Sequence, residues 1–90
     1  STNGAVNFPI VDLPPTAGSH RILNVHRNVP GVLKEINRIV SEIGANVNAQ
    51  TLSTDADTGY LVIDTDRAFS SEVKAAIEEL DTSIKTRILY

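Results

Sequence analysis

The chain has no cysteine, no methionine and no tryptophan, and only two phenylalanines and two tyrosines among its 90 residues. Without cysteine there is no disulfide, no thiolate metal site and no thiol nucleophile, and a reducing, cytoplasmic compartment is expected. So few aromatics exclude a platform on which nucleic-acid bases could stack. Positive charge is also in short supply: 8 Lys and Arg against 11 Asp and Glu leave a formal charge of −3. A mildly acidic surface argues against nucleic acid and anionic membranes as partners. No apolar run approaches the ~20 residues of a membrane-spanning helix, and no signal-peptide pattern opens the chain. HExxH, GxSxG, Walker and GxGxxG motifs are all missing, so no catalytic site is expected on this chain.

What is present reads as a folded domain, with 41% hydrophobic and 21% charged residues. Ninety residues make one domain. A domain of this size buries only about 60–65% of its unfolded surface, so a partner subunit or parent chain is expected. Residues 1–19 carry Pro9, Pro14 and Pro15 and no sustained period, which predicts an extended linker leading from a longer protein into a domain over residues 20–90.

From His20 the pattern becomes regular. His20 to His26 alternates, with Leu23 and Val25 on one face and Ile22, Asn24 and His26 on the other, which predicts a strand. Pro30 suits the first position of a helix, where its missing N–H costs nothing. Val32, Leu33, Ile36, Ile39, Val40 and Ile43 then form one apolar stripe, closed by Gly44. Asn46 to about Thr54 alternates again, and Asp55 to Gly59 supplies a turn. Asp55-x-Asp57 with Gly59 has the start of a calcium-loop spacing but lacks the later bidentate Glu, so a solvated hairpin turn is the reading adopted. Tyr60 to about Thr65 is apolar on both faces, as a central strand would be. Ser70 and Ser71 are the expected N-caps of a second helix, whose stripe is Val73, Ala76, Ile77 and Leu80, and the chain closes on a strand in SIKTRILY. The order βαββαβ predicts an α+β, ferredoxin-like fold: an antiparallel four-stranded sheet with both helices on one face.

Four polar residues need a reason. His26 and Asn28 leave the first strand just before a helix N-terminus, and Asn46 and Asn48 enter the second strand, where asparagine is depleted. Structurally, Asn28 serves as a turn or cap residue, Asn46 as a turn residue after Gly44, and His26 as a strand-end histidine. Functionally they form a set. The amides of Gly31, Val32 and Leu33 open a helix and suit a carboxylate. Asparagines offer donor and acceptor to a zwitterion, and a histidine can donate to a hydroxyl or carboxylate. That inventory fits a small polar amino acid. His20 and His26, six residues apart on one strand, are too distant to share a metal.

The segments His26-Arg27-Asn28-Val29-Pro30-Gly31-Val32-Leu33, Gly44-Ala45-Asn46-Val47 and Gly59-Tyr60-Leu61-Val62-Ile63-Asp64 resemble an ACT domain. Together with the opening Ser1-Thr2-Asn3-Gly4-Ala5-Val6-Asn7-Phe8-Pro9 and the closing Leu89-Tyr90, they resemble the C-terminal serine-sensing domain of the bacterial D-3-phosphoglycerate dehydrogenase family. The resemblance implies a regulatory domain that binds L-serine through His26, Asn28, Asn46 and the backbone near Gly31, Val32 and Leu33. It departs at Asn24, where some relatives have a second histidine. It also implies that NAD and catalysis belong to other parts of the parent enzyme. In a βαβ unit the first two strands run the same way, so His26 and Asn46 should lie about 20 Å apart at ~3.3 Å per residue. One amino acid cannot span that, so the implied site needs a second copy, paired antiparallel along the second strand. Two other readings share the topology. An RNA-binding or other interaction module is disfavoured by charge and by the missing aromatics. Acyl-phosphate hydrolysis would need a phosphate loop, for which only Arg27 offers itself.

Overall fold

The computed structural model describes residues 15–89. The linker expected over residues 1–19 therefore falls mostly outside the described residues. The elements are β1 (Ser19–Arg27), α1 (Val32–Ile43), β2 (Val47–Thr54), β3 (Thr58–Asp66), a single 3-10 turn (Arg67–Phe69), α2 (Ser70–Glu78) and β4 (Ser83–Ile88). The sheet order is β2-β3-β1-β4, and each neighbouring pair is antiparallel. This is the βαββαβ arrangement the alternation predicted.

Hydrophobic pattern and position agree closely. Leu61 to Thr65 of β3 are all buried because the strand lies between β1 and β2 and has no exposed edge. Ile22 of β1 and Leu61 and Ile63 of β3 point to the same side as α1 and α2. There they pack with Val32, Ile36 and Val40 of α1 and Val73 and Ile77 of α2. β2 is an edge strand, with Val47 and Leu52 about 40% exposed. Its register slips between Val47 and Ala49, a bulge at one end of an otherwise long edge.

The helix termini differ from expectation at two places. Pro30 is not the first helical residue. Pro30 and Gly31 form a tight turn in which Gly31 takes φ +91, and the helix begins at Val32. A side chain at Gly31 would be strained in that left-handed conformation, so the turn selects glycine. Neither Ser70 nor Ser71 caps α2. The 3-10 turn carries the chain into the helix, Phe69 is the N-cap, and the Ser70 hydroxyl turns back to the Arg67 carbonyl at 3.1 Å. It also meets Nδ1 of His20 at 2.7 Å, tying β1 to the start of α2. The far end of α1 is as expected. Gly44 takes φ +91, its N–H reaches the Ser41 carbonyl, and the Ala45 N–H reaches that of Val40, a Schellman closure.

Candidate functional site

The register separates the implied ligand residues into two groups. His26 pairs with Gly59, whereas Asn46 precedes Val47, which pairs with Thr65 at the other end of β3. Thr65 faces His20 across the β1–β3 pair, so the two ends are separated by the run from His20 to His26, about 20 Å at ~3.3 Å per residue. Within one chain His26, Asn28 and the start of α1 are together, and Asn46 is not among them.

At the His26 end the loop between β1 and α1 is fastened to the β2–β3 hairpin. Asn28 Nδ2 donates to the Asp55 carbonyl at 2.8 Å, and the Asn28 N–H donates to the Asp57 carbonyl at 2.9 Å. The hairpin is itself an Asx turn, since Asp55 Oδ1 accepts the N–H groups of Asp57 and Thr58 at 3.0 and 2.8 Å. The aspartates read as a solvated turn therefore perform that role, and among the described residues no cluster of three metal-ligating side chains occurs. Asn28 is exposed and commits one amide hydrogen to Asp55, which leaves its Oδ1 as an acceptor.

His26 is 2% exposed, on the helix-facing side of the sheet. Its ring lies over Gly59: a Cβ built there would come within 2.3 Å of Nε2. Gly59 thus makes room for the imidazole. Burial without a compensating charge lowers the His26 pKa below its ordinary value, so the neutral ring is favoured. Its Nδ1 bonds Asn24 Oδ1 at 2.9 Å. Because α1 starts at Val32 with Gly31 as its N-cap, the amides of Gly31, Val32, Leu33 and Lys34 have no helical partner, and the Gly31 carbonyl accepts from Glu35 at 3.0 Å.

A cavity of about 310 Å³ opens on the other flank of the Pro-Gly turn, between α1 and the α2–β4 loop. Pro30, Gly31, Val32, Glu35, Asp81 and Thr82 line it, whereas His26, Asn28 and Asn46 do not. Arg38 bonds Glu35 and keeps that carboxyl below its ordinary pKa, so Glu35 faces the cavity as one half of an ion pair. Of the implied ligand residues the cavity takes in only Gly31 and Val32, so the His26 side of the loop is the better candidate.

Asn46 is exposed and its N–H donates to Asp66 Oδ2 at 3.2 Å. Asn48 occupies the β2 bulge and bonds Ser19. Two contributors escaped the reading of the sequence. Gly59 was legible only as a turn glycine, although a glycine at a strand position also marks a close approach. Asn24 lay on the correct face, but its hydrogen bonds run to β4, sixty residues downstream, and no local pattern reveals them.

Comparison with known proteins places the chain in a class. Residues 22–85 match the family model of the AHAS small subunit-like ACT domain, and the chain belongs to that ACT domain family. The match extends to particular proteins. The chain is 53% identical over 87 residues to a D-3-phosphoglycerate dehydrogenase of Dictyostelium discoideum, covering 97% of this chain and 21% of that protein. It is 41% identical over 90 residues to the enzyme of that name from Haemophilus influenzae, covering all of this chain and 22% of that one. The chain thus spans about a fifth of the length of these relatives and corresponds to their ACT domain. In structure it is similar to the ACT domain of a GTP pyrophosphokinase from Chlorobium tepidum, with a TM-score of 0.69 over 79% of this chain and 96% of that one at 11% identity. The likeness at that identity is one of fold. No helix among the described residues is long and apolar enough to cross a membrane.

Proposed function

We propose that this chain is the regulatory domain of a cytoplasmic D-3-phosphoglycerate dehydrogenase, and that it binds L-serine at an interface between two ACT domains to slow the enzyme. The observation that carries the reading is the separation of His26 and Asn28 from Asn46 by the length of the sheet, with β2 left as an unpaired edge. An antiparallel two-fold pairing through the middle of β2, between Gln50 and Thr51, would set the partner's Asn46 opposite Asp55. The Asp55 carbonyl is the group that already holds the Asn28 amide. Two equivalent composite sites then arise from one axis. The exposed Val47 and Leu52 and the unpaired backbone of the edge would be covered by the same contact.

In such a site the amides of Gly31, Val32 and Leu33 take the carboxylate, where the partial positive charge of the helix start assists. The Oδ1 of Asn28 and the side chain of the partner's Asn46 take the ammonium group, and His26 takes the hydroxyl. Hydride transfer and NAD belong to the rest of the parent protein; this chain offers NAD no glycine-rich turn. Calorimetry on the self-associated chain tests the reading. L-serine should bind and D-serine should bind much more weakly, because three groups of one chiral centre are read together. Asn46→Ala should cost roughly 1–3 kcal/mol of binding while leaving the thermal midpoint of the free chain unchanged. Unchanged serine affinity in Asn46→Ala, or a monomer at all concentrations with and without serine, would overturn it.

A further inference from the structure

The bonds around Asn24 fix a property of His26 that its position alone leaves open: which ring nitrogen carries the proton. A neutral imidazole has one N–H and one lone pair. Asn24 is fully buried, and its Nδ2 donates to Thr86 Oγ1 at 2.8 Å, to Ser83 Oγ at 3.2 Å and to the Lys85 carbonyl at 3.4 Å. The Ser83 hydroxyl hydrogen is already given to the Ile77 carbonyl at 2.5 Å, so Ser83 can only accept from Asn24. Turning the amide over would set its oxygen against the Lys85 carbonyl and the lone pairs of Ser83. The amide orientation is therefore determined by β4 and by the end of α2. With Oδ1 directed at His26, Nδ1 has to be the donor in the 2.9 Å contact.

We propose that Asn24 is a specificity-determining positioning residue: it holds His26 as the Nδ1–H tautomer, so that Nε2 meets the ligand as an acceptor and selects an amino acid that brings a hydrogen-bond donor. The ligand in this proposal rests on the serine reading above, whereas the tautomer is a property of the free chain. Nε2 has no partner among the described residues and is not sealed from solvent, since the one sealed and unpartnered side-chain atom there is Thr65 Oγ1. Gly59, having no side chain, makes room for the ring in this position. Neutral His26 in this form cannot donate to a carboxylate or to an ether oxygen. It accepts the hydroxyl hydrogen of serine, and the carboxylate is left to the amides of α1. Burial of the ring, which favours the neutral form, acts in the same direction.

The experiment has two arms. Nitrogen-15 spectra of the imidazole rings in the unliganded chain report which nitrogen is protonated. Wild-type His26 should be protonated at Nδ1, and Asn24→Leu should lose that preference; Asn24→Ser, too short to reach Nδ1, serves the same purpose if leucine disturbs the fold. In the second arm, calorimetry compares L-serine with O-methyl-L-serine, which keeps the oxygen as an acceptor and lacks its hydrogen. The added methyl group burdens both proteins alike, so the change in the ratio of affinities isolates the hydrogen bond. That ratio should shrink about tenfold in Asn24→Leu relative to wild type. Protonation of wild-type His26 at Nε2 overturns the proposal outright, and so does an Asn24→Leu protein that keeps both the tautomer and the ratio. If wild-type chain fails to bind L-serine, the serine reading falls, and the imidazole spectrum decides the tautomer by itself.

Discussion

Strand β1 buries polar groups on both faces of the sheet, and the two sets could hardly differ more. Toward the helices, Asn24, His26 and Thr86 form a neutral, directional network in which the Asn24 amide donates toward β4 and accepts from His26. On the other face Arg21 and Asp64, directly opposite in the β1–β3 register, form a two-pronged ion pair at 2.8 and 2.9 Å, each about 2% exposed or less. The ion pair is strong and symmetric, and either partner alone would be an uncompensated buried charge. The neutral network is weak by comparison, but it has a sense of direction, and direction is what fixes a tautomer. One face of β1 holds the sheet together, while the other informs the site.

The largest effects are expected where charge is buried. Arg21→Ala leaves the Asp64 carboxylate buried without its guanidinium and should cost about 3–5 kcal/mol, read from urea denaturation. Asp64→Ala should cost a similar amount. The pair as a whole is another matter: Arg21→Met with Asp64→Leu removes both charges together and should recover most of the loss, because well-packed apolar residues often equal a buried ion pair. A double variant no more stable than either single one would mean that further bonds of Arg21 or Asp64, rather than their mutual attraction, hold this face.

Gly59→Ala probes the opposite face at a smaller cost. The backbone at Gly59 accepts a side chain, and only the His26 ring stands in the way, with Nε2 2.3 Å from the new carbon. The ring has to swing aside and leave Asn24, so stability should fall by about 1–3 kcal/mol and serine binding should be lost. Adding His26→Ala to Gly59→Ala removes the obstacle and should restore part of the stability without restoring binding, a non-additivity that a thermal-unfolding cycle would detect. Strict additivity would show that the contact is relieved elsewhere.

Much of this molecule was legible in its sequence, for identifiable reasons. Strand and helix periods, the closing Gly44 and the turn at Asp55 to Gly59 are local, and each appeared where its residues required. The apolar run of β3 announced a central strand because only a strand flanked on both sides has no need of polar residues. The helix starts were less legible. Pro30 and Ser70 each satisfy a local rule, but the chain uses Pro30 in a turn with Gly31 and spends the Ser70 hydroxyl on His20 and Arg67. Of the proposed site, the trio His26, Asn28 and Asn46 was visible as polar residues out of place. The ion pair of Arg21 with Asp64 and the orientation of Asn24 were not, because their partners lie 43 and about 60 residues away and are set by register. Residue types are local facts, and hydrogen-bond direction is a tertiary one.

The smallest expected effect is that of pH on the neutral network, and it separates the two faces without altering volume in the wild type. The folded-state pKa of His26 is depressed below its ordinary value near 6.5 by burial. The unfolded chain therefore binds the proton more readily. It follows that stability contributed by neutral His26 is fully present above about pH 6.5 and is lost as pH falls through the folded-state value. Since Nδ1 already carries its hydrogen to Asn24, the added proton goes to Nε2, above Gly59, turning the acceptor there into a donor. Urea midpoints of wild type and His26→Gln between pH 8 and 5.5 should diverge, with wild type declining toward acid and the variant remaining nearly level, and serine affinity should weaken over the same range. Parallel pH profiles for the two proteins would mean that His26 is as easily protonated in the fold as outside it, and the network would then have no grip on the ring's charge.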